Sequence, residues 1–155
     1  METKSRFWKE RLIVTELKKF LEKHPNTKGV EVMMPDNNGI IRGKRVDIYE
    51  AESLFEKGLN FCAATPLLDS GGDVIDGLIL GSDDGDPDIF GHPVDGSLNP
   101  VPWLEKEMAQ VLITLVDRDG NPYPYEARNI LNRVIKRLAD DDLYATIAVE
   151  LEFYL

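Results

Sequence analysis

The sequence is short of cysteine, of histidine and of positive charge. Its one cysteine, Cys62, forms no internal disulfide. No stretch combines a charged start, an apolar centre and a small-residue cleavage site, so a reducing cytoplasm is the expected home. His24 and His92 stand too far from other ligands to suggest a zinc site, and surface or turn positions suit them. The longest apolar runs, such as Tyr144 to Val149, are too short to span a bilayer and acidic residues interrupt or bound them, which excludes a membrane role. Lysine and arginine number 18 against 28 aspartates and glutamates, a formal net charge of −10 that repels a phosphate backbone and argues against nucleic-acid binding. From Leu68 to Pro102 there is no lysine or arginine at all. That stretch is dense in Gly, Pro and Asp and reads as a long acidic loop with short strands, serving function or an interface.

What is present suits one domain, or one domain plus a fragment: 155 residues, 43% of them hydrophobic. Apolar residues at Phe7/Trp8, Leu12/Ile13, Leu17 and Phe20/Leu21 follow the helical period, and His24-Pro25-Asn26 ends that helix. Gly29 to Met34, the turn Asp36-Asn37-Asn38-Gly39 and Ile40 to Val46 predict a β-hairpin. Ile48 to Lys57 predicts a short helix with Gly58 as its C-terminal cap, and Cys62 reads as a small core residue. Ala109 to Val116, rich in β-branched residues and closed by Asp117 to Pro122, predicts a buried strand. Glu126 to Ala139 predicts a helix with Ile130, Leu131, Val134 and Leu138 on one face and Arg128, Arg133 and Lys136 toward solvent.

The last segment, Tyr144 to Leu155, has the composition of a core strand interrupted by Glu150 and Glu152. Residues two apart on a strand share a face, about 6.6 Å apart along it, so both carboxylates point the same way. Two such anions beside apolar neighbours repel each other and lose hydration, a cost that bound cations or basic side chains offset. Hard divalent cations prefer this kind of oxygen donor. Spacing alone leaves two readings open, a metal-ligand pair and an ordinary strand with one wet face. A chain that stops at Phe153-Tyr154-Leu155, with no polar tail, also reads as cut short.

Val149-Glu150-Leu151-Glu152-Phe153-Tyr154 resembles the Glu-x-Glu-Phe strand that supplies the first metal ligands of glutamine synthetases. Glu126-Ala127-Arg128-Asn129-Ile130-Leu131 is similar to the Asp-Pro-Arg-x-x-Leu opening the preceding helix in that family, with alanine in place of proline. Asp36 to Lys44 resembles the Asp-x-x-Gly-x-x-Arg-Gly-Lys hairpin of its N-terminal β-grasp domain. Gly85-Asp86-Pro87-Asp88 and Pro93 to Leu98 resemble the region leading to the family's next strand. These matches keep their order from Lys19 to Leu155, and the set is most similar to the γ-glutamylpolyamine synthetase branch.

The resemblance implies an α+β chain: an N-terminal helix over residues 1–22, a β-grasp domain over 23–120, and the first helix and strand of a truncated catalytic domain over 121–155. It implies a ligase in which ATP phosphorylates the γ-carboxylate of glutamate and ammonium or a polyamine displaces the phosphate. Mg2+ or Mn2+ would be held by Glu150 and Glu152, Glu150 on the ion nearer the nucleotide and Glu152 on the ion nearer glutamate. Members assemble as homo-oligomeric rings in which the N-terminal domain completes a neighbour's active site. Asp69 is the counterpart of the aspartate that takes a proton from the amine in trans, although Asp69-Ser70-Gly71-Gly72 matches the family's Asp-Gly-Ser-Ser only loosely and also makes an ordinary turn. Arg42 and Lys44 lack phosphate-loop spacing and suit a hairpin or interface role.

Two other classes compete. Asp84, Asp86, Asp88 and Asp95 fall at positions 1, 3, 5 and 12 of a calcium-loop count, but Ile89 replaces the turn glycine and Pro87 and Pro93 stiffen the loop. A non-catalytic β-grasp interaction domain is the other. It would pair Glu150 and Glu152 with basic side chains, whereas a ligase would leave them open.

Overall fold

The computed structural model describes residues 16–78 and 85–154. Residues 16–23 form helix α1; the portion expected from Phe7 to Thr15 lies outside the described residues. Leu17 and Phe20 are buried one turn apart, which is the face that the sequence period marks. The hairpin follows as β1 (Gly29–Pro35) and β2 (Ile41–Asp47), antiparallel with Val32 opposite Lys44. Asp47 accepts from the Tyr49 amide to start a 3₁₀ turn over Ile48–Glu50, which runs into α2 (Ala51–Lys57). Gly58 closes α2, its amide donating to Leu54 O at 2.9 Å. Then come β3 (Leu59–Cys62), a 3₁₀ turn over Thr65–Leu67, β4 (Asp88–Pro93), β5 (Asn99–Val101), β6 (Met108–Val116) and α3 (Ala127–Asp140).

The strands form one sheet in the order β2-β1-β6-β4-β3, with β5 also on β6. β6 is the spine. Its first half pairs in parallel with β1, Val32 beside Val111, and its second half pairs antiparallel with β4, Ile113 opposite Pro93. Alternate residues turn inward, Val30, Val32 and Met34 from β1 and Ala109, Val111, Ile113 and Leu115 from β6, all inaccessible to solvent. α1 contributes Leu17 and Phe20, and α2 contributes Ala51, Leu54 and Phe55, to the same cluster. Each such side chain removed from water contributes about 1.5–3 kcal/mol, so this layer holds the domain together.

β2 and β3 are the two ends of the strand order, yet Lys44 of β2 donates from Nζ to Asn60 O of β3 at 2.6 Å and lies 4.9 Å from the Phe61 ring centre. The sheet is therefore curled until its edges meet, and Lys44 ties them. The curl also sets Gly43. A Cβ there would sit 1.8 Å from Val32 O, so only glycine lets β2 approach β1 this closely.

Three expectations change. Cys62 is exposed rather than in the core, because β3 turns Phe61 and Ala63 inward and period-two geometry sends Cys62 outward. The Asp86 carboxylate beside it, then desolvation, push its thiol up. α3 forms where expected, but its apolar face is open, with Leu131 and Val134 each 49% exposed. The strand expected over Tyr144 to Leu155 is absent among the described residues: 143–154 carry no ladder, and Val149, Leu151 and Phe153 are exposed. A strand needs a neighbour to accept and donate its backbone hydrogen bonds, and none lies beside this segment among the described residues.

Candidate functional site

The hairpin turn and the loop after β3 form one hydrogen-bonded unit. Asp36 opens the turn, and its Oδ1 accepts from the amides of Asn38 at 2.8 Å and Ile40 at 2.9 Å. Its Oδ2 accepts from Arg42 Nε at 2.9 Å. Burial opposes ionisation of Asp36, which is 1% exposed, but the Arg42 bond and the two amides outweigh it and hold the carboxyl below its usual range. The turn then grips the loop residue by residue. The Asn37 amide donates to Pro66 O at 3.1 Å, Asn38 Nδ2 to Leu68 O at 2.8 Å, and Arg42 Nη2 to Asp69 O at 2.9 Å.

Asp69 sits at the centre of this loop. Its Oδ1 accepts from the amides of Gly71 at 2.8 Å and Asp73 at 2.9 Å, and its own amide donates to Asp73 O. The Asp73 amide, followed by those of Gly71 and Gly72 and by the charge of Arg42, holds its carboxyl below the ordinary value. Asp69 is therefore an ionised, partly exposed carboxylate on a tight turn. Turn-maker and anion are the same residue here, and the structure places it beside Arg42, 27 residues away in sequence.

A second polar cluster joins α3 to β6. Glu126 is the N-cap of α3 and is wholly buried, its Oε2 accepting from the Asn129 amide at 3.0 Å and from Thr114 Oγ1 at 3.3 Å. Asn129 Nδ2 in turn donates to Leu115 O at 2.8 Å and Tyr123 O at 3.1 Å. Among the described residues, Glu126 Oε1 and Arg128 Nε are buried without hydrogen-bond partners. Burial, only partly offset by these bonds, pushes the Glu126 carboxyl up.

Glu150 and Glu152 are not brought together with Asp69 or with each other by any element among the described residues. Both are exposed on the unpaired segment after α3. No salt bridge reaches them and no cluster of three metal-binding side chains exists among the described residues. Of the calcium-loop count, Asp84 lies outside the described residues. No helix among the described residues is long and apolar enough to cross a membrane.

No family model matches the sequence. Individual proteins do. The chain is 43% identical over 140 residues to gamma-glutamylputrescine synthetase of Escherichia coli (strain K12), covering 90% of this chain and 29% of that protein. It is 30% identical over 126 residues to type-1 glutamine synthetase 2 of Dictyostelium discoideum, covering 81% of this chain and 24% of that one. The chain belongs to the glutamine synthetase family. A solved glutamine synthase homolog superposes with a TM-score of 0.63 over 74% of this chain and 27% of its own, at 22% identity, which supports the fold.

Within this glutamine synthetase chain the β-grasp part is the well-built one, and the chain spans under a third of the curated relatives it matches. Sequence reasoning singled out Asp69 and the turn but missed the Asp36–Arg42 pair that holds both. The signal was present: an aspartate opening a turn three residues before Gly39, with an arginine six residues on, on the strand that leaves the turn. Glu126 was read as part of a helix start, and its burial has no sequence signature beyond the apolar residues around it.

Proposed function

We propose that this chain supplies the β-grasp part, and the start of the catalytic part, of an ATP-dependent ligase that joins the γ-carboxylate of glutamate to an amine through γ-glutamyl phosphate. The 43% identity to a gamma-glutamylputrescine synthetase over 90% of this chain is the observation that carries the reading, and it favours a polyamine over ammonium as acceptor. Cytoplasmic location and ring assembly belong to the same reading.

Glu150 and Glu152 fit a hard cation by donor chemistry, being two carboxylates two residues apart with no basic side chain on either among the described residues. They are the ligands proposed for Mg2+ or Mn2+, once residues 144–154 pair as a strand with further sequence. A divalent ion there would neutralise phosphoryl charge.

The chain's own chemistry is at Asp69, proposed to act in a neighbouring subunit's site. An alkylammonium gives a proton to its carboxylate, the freed nitrogen lone pair forms the bond to the γ-carbonyl carbon, the carbon–oxygen bond to phosphate breaks, and the second nitrogen proton leaves with the departing phosphate. The carboxylate must be ionised to accept that proton, and an aspartate held at or below its ordinary value is ionised at neutral pH.

The test is a chimera in which this chain replaces the matched segment of the Escherichia coli relative. ATP-dependent γ-glutamylputrescine formation is expected, with Glu152→Ala abolishing it while assembly persists. A correctly assembled chimera without ligation, or one indifferent to Glu152→Ala, would defeat the reading.

A further inference from the structure

Arg42 stands between two structures that the chain keeps apart. On one side its Nε donates to Asp36 Oδ2, a buried carboxylate fixed by two amides of the hairpin turn. On the other its Nη2 donates to the carbonyl of Asp69. Its Nη1 lies against Gly72, whose φ is +95° and where a Cβ would come within 3.1 Å of that nitrogen. The Asp69 side chain is itself tied to the amides of Gly71 and Asp73, so its direction follows the backbone of the 69–73 turn. Whatever holds that backbone aims the carboxylate.

We propose that Arg42 is a positioning residue for the amine half of the ligation: braced by Asp36, it fixes the 69–73 turn and with it the Asp69 carboxylate. This rests on Asp69 as the proton acceptor. A guanidinium is required because the two bonds leave in different directions from one rigid fork, Nε to a carboxylate and Nη2 to a carbonyl, and a lysine ammonium offers no such pair. The Arg-Gly-Lys motif thus divides its labour, with Lys44 closing the sheet and Arg42 aiming the loop.

The experiment has two arms. In the 155-residue chain, Arg42→Met should speed hydrogen exchange at the Gly71 and Asp73 amides and bring the Asp69 titration, followed by carbon NMR, up toward the ordinary aspartate range. In the chimera, Arg42→Met should lower kcat/KM for putrescine about 10- to 100-fold, as misplacement of a reacting group does, and leave KM for ATP and glutamate unchanged. Arg42→Lys should recover only a minor part. If Arg42→Met fails to fold because Asp36 is left buried without its cation, the double variant Asp36→Asn, Arg42→Met removes that charge and keeps the comparison. Unchanged loop amides and Asp69 titration, or an equal loss for all three substrates, would overturn the proposal. Asp69→Asn separates the two failures. Impaired amine kinetics there with intact kinetics in Arg42→Met sinks Arg42 alone, whereas unimpaired Asp69→Asn sinks the proton acceptor and leaves Arg42 nothing to position.

Discussion

β6 and the segment after α3 are made of the same kind of residues and have opposite fates. Met108 to Val116 alternates buried and half-buried positions, with β1 on one edge and β4 and β5 on the other. Ala145 to Tyr154 is as rich in Val, Ile, Leu, Phe and Tyr, yet Val149 is 83% and Leu151 80% exposed and no strand forms. Propensity describes how a side chain fits a pleated, half-buried surface, and without the surface there is nothing to fit. The largest effect that tests the contrast is truncation on either side of it. Phe55→Ala, at 2% exposure in the cluster above β6, should cost about 3–5 kcal/mol in urea unfolding, while Leu151→Ala should stay within about 0.5 kcal/mol. A comparable loss at Leu151 would mean that the segment packs after all.

Gly43 tests the close approach of β2 to β1, the strand that flanks β6. Adding one methyl places a carbon 1.8 Å from Val32 O, a backbone atom that cannot swing aside. Gly43→Ala should therefore destabilise the domain by about 1–3 kcal/mol, the usual range for overpacking, and should free Lys44 from Asn60. Unaltered stability with the Lys44 contact intact would show that β2 is looser than drawn.

Local patterns announced the elements whose partners are local. The β1–β2 hairpin was legible because Asp36 and Gly39 carry their own turn chemistry, and β6 because its β-branched residues and the turn cluster from Asp117 to Pro122 mark a buried strand. β3 went unseen: four residues, Leu59 to Cys62, become a strand only by pairing with β4, which follows after a long intervening loop. The same blindness misplaced Cys62. At the candidate site, Asp69 was legible only through the loose resemblance of Asp69-Ser70-Gly71-Gly72 to the family's Asp-Gly-Ser-Ser, and its grip by Arg42 spans the gap between β2 and that loop and has no period to betray it. Glu150 and Glu152 were legible as a spacing, and spacing fixes a shared face only once the strand exists.

Glu126 joins the two regions and gives the smallest and most diagnostic effect. Its carboxyl is wholly buried at the start of α3, with Oε2 satisfied by Asn129 and Thr114 and Oε1 without a partner among the described residues. Burial thus raises it above its ordinary value of 4.5, and the fold prefers the protonated form. The associated stability is fully present below about pH 4.5 and is lost as pH rises through the higher folded value. Asp36 works the other way. Held below its ordinary 3.8, it adds stability that is present above that value and lost only on strong acidification. Glu126→Gln keeps an oxygen for the Asn129 amide and removes only the ionisation, so the stability of the variant minus that of the parent chain should grow as pH rises from 4.5 through the folded value and then level off. Urea titrations of both proteins at intervals from pH 4 to 8 measure that difference, and Asp36 cancels in the subtraction. A flat difference would mean that the carboxylate ionises there without cost, and that water or a cation reaches Oε1 at the joint between the sheet and α3.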